Sequence, residues 1–412
     1  MKLLSVITYS ILTLSFMASN AFALGSGFSG ITASADSAET VVSNPAGMTR
    51  IKQPSLYGNM LVAYQYDRDK TTVKNTGQKQ TSSDDTTVIV PSLYYVYPIS
   101  DRWAVGIGPD AVSGLGGSFD DDWPGRYLIQ DWSLSFIGIA PSVAYRIDDK
   151  LSVGFSVPIM YSRYTLQKAV FNLAPDSSDG SFDLKADGWG VGVNAGILYE
   201  FSDYTRVGLV YRSKVSAKDE GRPDFSGLTQ QRHDLLDQVG ALDKKISIKT
   251  SSPQIVHAGM FHDFRNKWTC TFDAFWVDFS DWGFEDVMIG DTRIDMQPGK
   301  YKDIYATTVG VSYELTPKIT ARSGAFYISS GQNDGDRRPS MRLDQIWGAG
   351  LGYEYSFRKN RSVSLDVTYV QLGDGKYSIK DVPVAGDIEG RYTCNNALVF
   401  SAGVKWGFGA DR

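Results

Sequence analysis

The amino-acid sequence predicts an all-β fold, a transmembrane antiparallel β-barrel of about fourteen strands with an N-terminal hatch in its lumen. Three observations predict it. Short charged turns recur about every fifty residues, with two long segments and a polar loop between successive turns. Within the segments apolar and small residues alternate with period two. A secretion-like leader precedes them, and no later run is apolar and long enough for a membrane helix. Short turns on one side and long loops on the other are the layout of an outer-membrane barrel.

The leader spans residues 1–23. Lys2 is followed by a mostly apolar stretch from Leu3 to Met17, and Ala21-Phe22-Ala23 forms a small-x-small cleavage site. An exported mature chain starting near Leu24 is expected. Residues 24–52, rich in Gly, Ala and Ser, are expected to form the hatch, because a closed barrel leaves them only its interior or the space beneath it. Residues 53–412 form the barrel and its external loops.

The turns set the strand count. They read Tyr97-Pro98-Ile99-Ser100-Asp101-Arg102, Ile147-Asp148-Asp149-Lys150 and Phe201-Ser202-Asp203-Tyr204, then Phe264-Arg265-Asn266-Lys267, Thr316-Pro317-Lys318 and Arg358-Lys359-Asn360-Arg361. Two strands per interval give an even number with both chain ends periplasmic. The third strand is expected at 102–114, the seventh and eighth at 205–218 and 246–263, the ninth at 267–280 and the last at 392–408.

Face assignment follows from parity. Leu151, Val153, Phe155 and Ile159 share one face, with Ser152, Gly154, Ser156 and Met160 on the other. Trp189, Val191, Ala195 and Ile197 alternate with Gly188, Gly190, Asn194 and Gly196; Trp347, Leu351 and Tyr353 alternate with Gly348, Gly350 and Gly352. The apolar sets face lipid, and the small or polar sets face inward. These glycine runs open no helix after a buried strand, so they are not phosphate loops.

Composition narrows the function. Net charge is −5 without a basic block, which argues against nucleic acid as a partner. Cys270 and Cys394 fall at opposite ends of the barrel on this count, so two free thiols are expected. No metal spacing and no cofactor motif is present. The histidines, His233, His257 and His262, lack an accompanying nucleophile motif, so no enzyme is expected.

Charge collects on the inward face at Glu200, Arg206, Arg212, Asp273, Arg322, Glu354, Asp366 and Lys405, mostly close to periplasmic turns. Mixed signs suit an anchor for a plug better than an ion-selective ring; generic lumen polarity is the competing explanation. Outside, the loop from Lys218 to Lys245 carries Leu228, Arg232, Leu235, Leu236, Val239 and Leu242 at helical spacing. With Phe171 and Leu173 of a neighbouring loop they form an exposed apolar set, which either captures a hydrophobic molecule or caps the lumen.

Four ordered segments resemble the outer-membrane transporters of long-chain fatty acids and hydrocarbons (FadL/TodX type). Asn44-Pro45-Ala46-Gly47-Met48 resembles the Asn-Pro-Ala hatch motif. Gly114-Leu115 and Trp123-Pro124-Gly125-Arg126-Tyr127 lead into Pro141-Ser142-Val143-Ala144-Tyr145. Lys267-Trp268 with Asp273, Trp276 and Trp282, and Arg322-Ser323-Gly324 with Pro339, complete the set. The resemblance implies a plugged barrel, external capture of a hydrophobic small molecule, and sideways exit into outer-membrane lipid through a kinked third strand. The kink carries over to Gly114, beside Gly108 and Pro109, and glycine or proline interrupts a ladder on its own account. Arg126 and Arg212 are the candidates for meeting a carboxylate head. The segment Gln167–Asp187 looks shorter than the family's capture loop, and the usual terminal aromatic sits inward, at Phe408. A monomer in the outer membrane of a Gram-negative cell is expected. A general porin for small hydrophilic solutes, or a surface barrel that transports nothing, is the alternative.

Overall fold

The structure, a computed structural model, describes residues 29–173, 177–290, 292–294 and 300–409. The leader at 1–23 and the first residues of the hatch lie outside them. Fourteen strands close a barrel. Strands 1 and 2 form its tallest hairpin, Ser55–Val73 and Lys79–Pro98. Strand 3 comes in two pieces, Trp103–Ile107 and Pro109–Ser118, and strand 4 likewise, Asp131–Ile139 and Ser142–Arg146. Strand 5 is Leu151–Ser156 and Ile159–Val170; strand 6 is Gly180–Val191 and Asn194–Ser202. Strand 7 is Thr205–Arg212 and Val215–Ser226; strand 8 is Ile246–Ser252 and Ile255–Asp263.

Strands 9 to 13 are Trp268–Val277, Ile304–Thr316, Ile319–Ile328, Ile346–Arg358 and Arg361–Gln371. Strand 14, Gly386–Gly407, pairs back onto strand 1 from Ser55↔Gly407 to Val73↔Ile388 and closes the wall. Closure onto strand 1 satisfies the edges of strands 1 and 14 that lipid would otherwise leave unpaired. Two additions were not expected from the sequence. Lys376–Val382 forms a hairpin with the outer part of strand 14, and Gly283–Ile289 pairs with Thr292–Ile294 above strand 9.

The broken strands fracture the wall into two sheets, a lower one carried round the whole barrel and an upper one built on the outer halves of strands 3 to 8. Prolines mark the fracture: Pro109, Pro141, Pro158 and Pro253 fall at the breaks of strands 3, 4, 5 and 8. Proline brings no N–H to a ladder, so the regular pattern stops there. Single backbone bonds carry pairing across, such as Ala140 N to Gly108 O (2.9 Å) and Gly192 N to Pro158 O (2.9 Å).

Between strands 2 and 3 pairing is not carried across. The ladder runs only from Tyr95↔Ile107 to Pro98↔Ala104. Above it Pro109–Ser118 pairs with strand 4 alone, and strand 2 pairs with strand 1 alone. Among the described residues no ladder joins these two outer halves, leaving a vertical seam in the wall. Strand 3 is interrupted at Gly108, its register against strand 4 shifts again between Ala111 and Ser113, and Gly114 just above pairs with Ser135.

Parity holds on the lipid side. Trp189, Val191, Trp347, Leu351 and Tyr353 are exposed, and Tyr97, Trp103, Phe201, Phe264, Trp268, Tyr355 and Phe408 form an exposed aromatic band beside the periplasmic turns. Below the fracture the inward face is polar or small. Above it most of the lumen is apolar, with Trp132, Leu134 and Phe136 of strand 4 buried against Met160 and Tyr164 of strand 5, Leu184 of strand 6, Val215 of strand 7 and Ile248 of strand 8. Polar groups are buried there too: Asp219 accepts from Ser162 (2.8 Å) and Thr250 (2.9 Å). The external helix is also shorter than its spacing suggested, Gln230–Gln238, with no buried residue, because strand 7 climbs to Ser226 and takes up the loop. Cys270, half-buried, and Cys394, exposed, are both free.

Candidate functional site: plug, lumen and strand 3 seam

The plug is built from small residues because it must lie flat against the wall. It contains a short helix, Thr40–Ser43, and a 3₁₀ turn, Pro45–Arg50. Asn44 joins them and pins them to the barrel. Its Nδ2 donates to Thr32 O (2.8 Å) and to Ile197 O of strand 6 (3.1 Å), and its Oδ1 accepts from Ala46 N (3.1 Å). Pro45 opens the turn where its missing N–H costs nothing. Ala46 is fully buried, and a methyl at Gly154 of strand 5 would overlap its backbone; one at Gly196 would overlap Asn44 Oδ1. Gly154 of strand 5 and Gly196 of strand 6 are therefore the dock for this part of the plug.

Three of the inward charges hold this plug. Arg206 donates from Nε to Ala33 O (2.6 Å) and from Nη2 to Ser34 O (2.5 Å). Asp273 accepts from Gly30 N and from His257 Nε2 (3.1 Å), and His257 also meets Thr32 Oγ1 (2.5 Å). Glu200 pairs with Arg50 of the plug and with Arg146 (3.6 Å). Arg50 and Arg146 were not singled out in the sequence. Beside the plug, Thr49 Oγ1 and Ser152 Oγ of strand 5 share a hydrogen bond (2.8 Å).

Four of the remaining five, all but Arg212, stand apart from these, on the opposite wall. Arg322 meets Asp366 (2.9 Å) and Glu354 (3.6 Å). Arg322, Glu354 and Lys405 line a polar cavity of about 320 Å³ between the plug and strands 9 to 14, with Asp36 and Glu39 facing them from the plug. Burial, with the neighbouring Asp36 carboxylate, pushes Glu39 up to about 7. Above this cavity an apolar cluster including Leu61, Val88, Phe326, Ile346 and Val399 lines the wall formed by strands 11 to 14, 1 and 2.

At the foot of the seam the Tyr94 ring lies where a side chain at Gly108 would go, and it stacks on Tyr57 with ring centres 6.2 Å apart. Directly above, Arg212 of strand 7 reaches Asp110, the residue after Pro109 (Nη2 to Oδ1, 2.5 Å). Both are at least nine-tenths buried, yet Arg212 Nε and Asp110 Oδ2 have no protein partner; neither do Ser156 Oγ and Asn194 Nδ2. Ser156, Asn194 and Arg212 are cross-strand neighbours, so these polar atoms form one group. Arg126 is placed differently. It is bound to Asp179 (2.8 Å) and to the Tyr127 hydroxyl (2.8 Å), which ties two external loops together.

On the outside, Arg232 of the helix donates to Phe171 O from Nε (2.8 Å) and Nη2 (2.5 Å). This brings Phe171, Leu173, Leu235 and Val239, each more than 40% exposed, onto neighbouring elements, while Leu228 and Leu236 are half-buried. Sequence reasoning missed the apolar outer lumen and Asp110. The row of prolines was the readable signal for the fracture, but only the finished topology places them level with one another.

A barrel stoppered by its own N-terminal segment, greasy above the stopper, defines an outer-membrane channel for apolar molecules. The family model "Outer membrane protein transport protein (OMPP1/FadL/TodX)" matches residues 6–408, and the chain belongs to that family of outer-membrane transporters of hydrophobic compounds; its work is transport, not catalysis. Outer membrane protein P1 of Haemophilus influenzae is 27% identical, over 88% of this chain and 86% of the relative. The long-chain fatty acid transport protein of Salmonella typhi is 25% identical, over 87% and 88%. Among solved structures, a Pseudomonas aeruginosa FadL homologue superposes with a TM-score of 0.79 at 19% identity, over 93% of this chain and 96% of the other. The Pseudomonas putida toluene transporter TodX gives 0.64 at 19% identity, over 90% and 94%.

Proposed function

We propose that this protein takes up long-chain fatty acids or similar lipophiles by passive diffusion, captures them at the external apolar patch and releases them sideways through the seam beside strand 3. The carrying observation is the unpaired seam that opens off an apolar lumen directly above a seated plug. A fatty chain gains roughly 0.8 kcal/mol for each methylene that leaves water, so Phe171, Leu173, Leu235 and Val239 need no energy source to hold one. The outer lumen around Trp132, Phe136 and Met160 continues the same environment inward. Arg212, with its unpartnered Nε beside Asn194 and Ser156, suits a carboxylate head at the level of the seam. Onward passage past the plug would return the chain to water, whereas lipid lies across the seam.

Continuing the register of Tyr95↔Ile107 upward would set Val88 opposite Gly114. With Cys270 and Cys394 replaced by serine, oxidation of the V88C/G114C variant should staple the seam. Uptake of radiolabelled oleate by cells is expected to collapse on oxidation and return with reductant. Full uptake with the cross-link confirmed by mass spectrometry rejects lateral exit.

A further inference from the structure

The seam ends at a single buried side chain. Arg342 belongs to the external loop between strands 11 and 12, and is only 4% exposed. Its Nη1 donates to Asp67 of strand 1 (2.6 Å) and Asp84 of strand 2 (2.7 Å), and its Nη2 donates to Ser118 O at the outer tip of strand 3. Asp84 also accepts from Ser118 N (3.3 Å). One guanidinium thus touches strands 1, 2 and 3 together, at the place where the interrupted register would have set Asp84 opposite Ser118. Close approach is built in, since a side chain at Gly117 would overlap the guanidinium. The plane also lies over the Phe119 ring (4.9 Å to its centre), and Asn395 donates to Arg342 O (3.0 Å).

We propose that Arg342 is a clasp holding the outer end of strand 3 to strand 2, so that the seam parts only below it. This rests on the reading of the seam as the exit. Asp84 stands about fourteen residues up strand 2 from Pro98, whereas about 9–11 residues cross the hydrocarbon. The clasp therefore sits outside the apolar layer, where a loose strand edge would be open to water and to other chains. Below it the free edges face hydrocarbon, and an apolar cargo gains by crossing there. The arginine supplies what the missing ladder does not: a fixed, charge-assisted link with fork geometry that spans acceptors on separate strands.

The test measures the seam itself. Spin labels at Asp85 and Asp120, both exposed, straddle its outer end; labels at Arg68 and Ser83 straddle the fully paired seam between strands 1 and 2 as a reference. The full chain in lipid nanodiscs, with its two native cysteines replaced, is compared with R342Q and with G117A. The second variant displaces the guanidinium while leaving Asp67, Asp84 and the arginine in place. Dipolar broadening in continuous-wave electron paramagnetic resonance, which reads label pairs this close, should show the 85–120 distribution lengthening and broadening in both variants, with the 68–83 distribution unchanged. An unchanged 85–120 distribution in folded, heat-modifiable protein overturns the clasp. Equal broadening of both pairs overturns it as well, because Arg342 would then hold the strand 1–2 hairpin. The route is read separately. A loosened seam combined with uptake indifferent to the V88C/G114C staple would keep the clasp and reject lateral exit.

Discussion

Asn44 shows how much a single side chain decides here. An amide supplies two donors and an acceptor in one plane, and all three point at different pieces of backbone: Thr32, Ile197 and Ala46. Pro45 then fixes the direction in which the chain leaves. The Asn-Pro-Ala motif was legible in the sequence because such local chemistry needs adjacent residues. Its wall partners were not, since Gly154 and Gly196 read equally well as generic small lumen positions. Glu39 adds a pH dependence to the same plug. Burial first, then the Asp36 carboxylate, raise it to about 7 from an ordinary 4.5, while Arg322 opposes them; Glu354, Lys405 and Tyr57 line the same cavity. Below about 4.5 the proton is bound whether or not the plug is seated. Between there and about 7 only the seated plug keeps it, so seating should weaken as pH rises through that window and level off above it. Protease cleavage of the plug should increase from pH 5 to pH 8 in the wild type, and E39Q should flatten the profile. A flat wild-type profile removes Glu39 from the seating equilibrium.

At the scale of elements, strand existence and facing were legible because lipid enforces one apolar side with period two, as in strands 6 and 12. Strand ends were not. The sequence stops strand 3 at 114 and starts strand 14 at 392, whereas the structure runs them to Ser118 and from Gly386. Beyond the membrane that enforcement lapses, and polar residues such as Asp84 or Lys218 continue a ladder as easily as they leave it. The external helix is present but shorter than its spacing suggested, for a related reason. Of the residues at helical spacing from Leu228 to Leu242, only Arg232, Leu235 and Leu236 fall within Gln230–Gln238, which buries none of its residues. Leu235, with Val239 just beyond the helix, is exposed, while Leu236 is half-buried. On the capture reading this exposure is used. Replacing Leu235 and Val239 together by serine removes two partly exposed side chains, each worth up to about 1.5–3 kcal/mol if fully covered by ligand. Binding of a fluorescent fatty acid to detergent-solubilised protein should weaken several-fold, with thermal stability unchanged. Unaltered affinity would leave the helix a lumen cap and nothing more.

Across the whole molecule, the lower and upper halves of the barrel have separate jobs. The lower half is polar, glycine-lined and filled by a plug with backbone, ion-pair and hydroxyl anchors on strands 5, 6, 7 and 9. The upper half is largely apolar, fractured from the lower along a row of prolines, and unpaired beside strand 3. An apolar cargo entering from above meets mostly apolar side chains until it reaches the plug. Continuing downward means crossing a hydrated cavity lined by Asp36, Glu39, Arg322 and Lys405, and each methylene re-exposed to water there costs roughly 0.8 kcal/mol. Turning aside costs nothing comparable, because hydrocarbon begins at the seam. On the lateral-exit proposal the plug serves as a floor that stays in place during transport. Thr49 and Ser152 already hold their hydroxyl oxygens 2.8 Å apart, which places their Cβ atoms within range of a disulfide. In the T49C/S152C variant, with Cys270 and Cys394 replaced by serine, oxidation should fix the plug to strand 5. If cargo leaves sideways, oleate uptake by the oxidised variant should match that of the reduced one. Loss of uptake on oxidation, recovered with reductant, would mean that the plug must move and that cargo travels down the lumen.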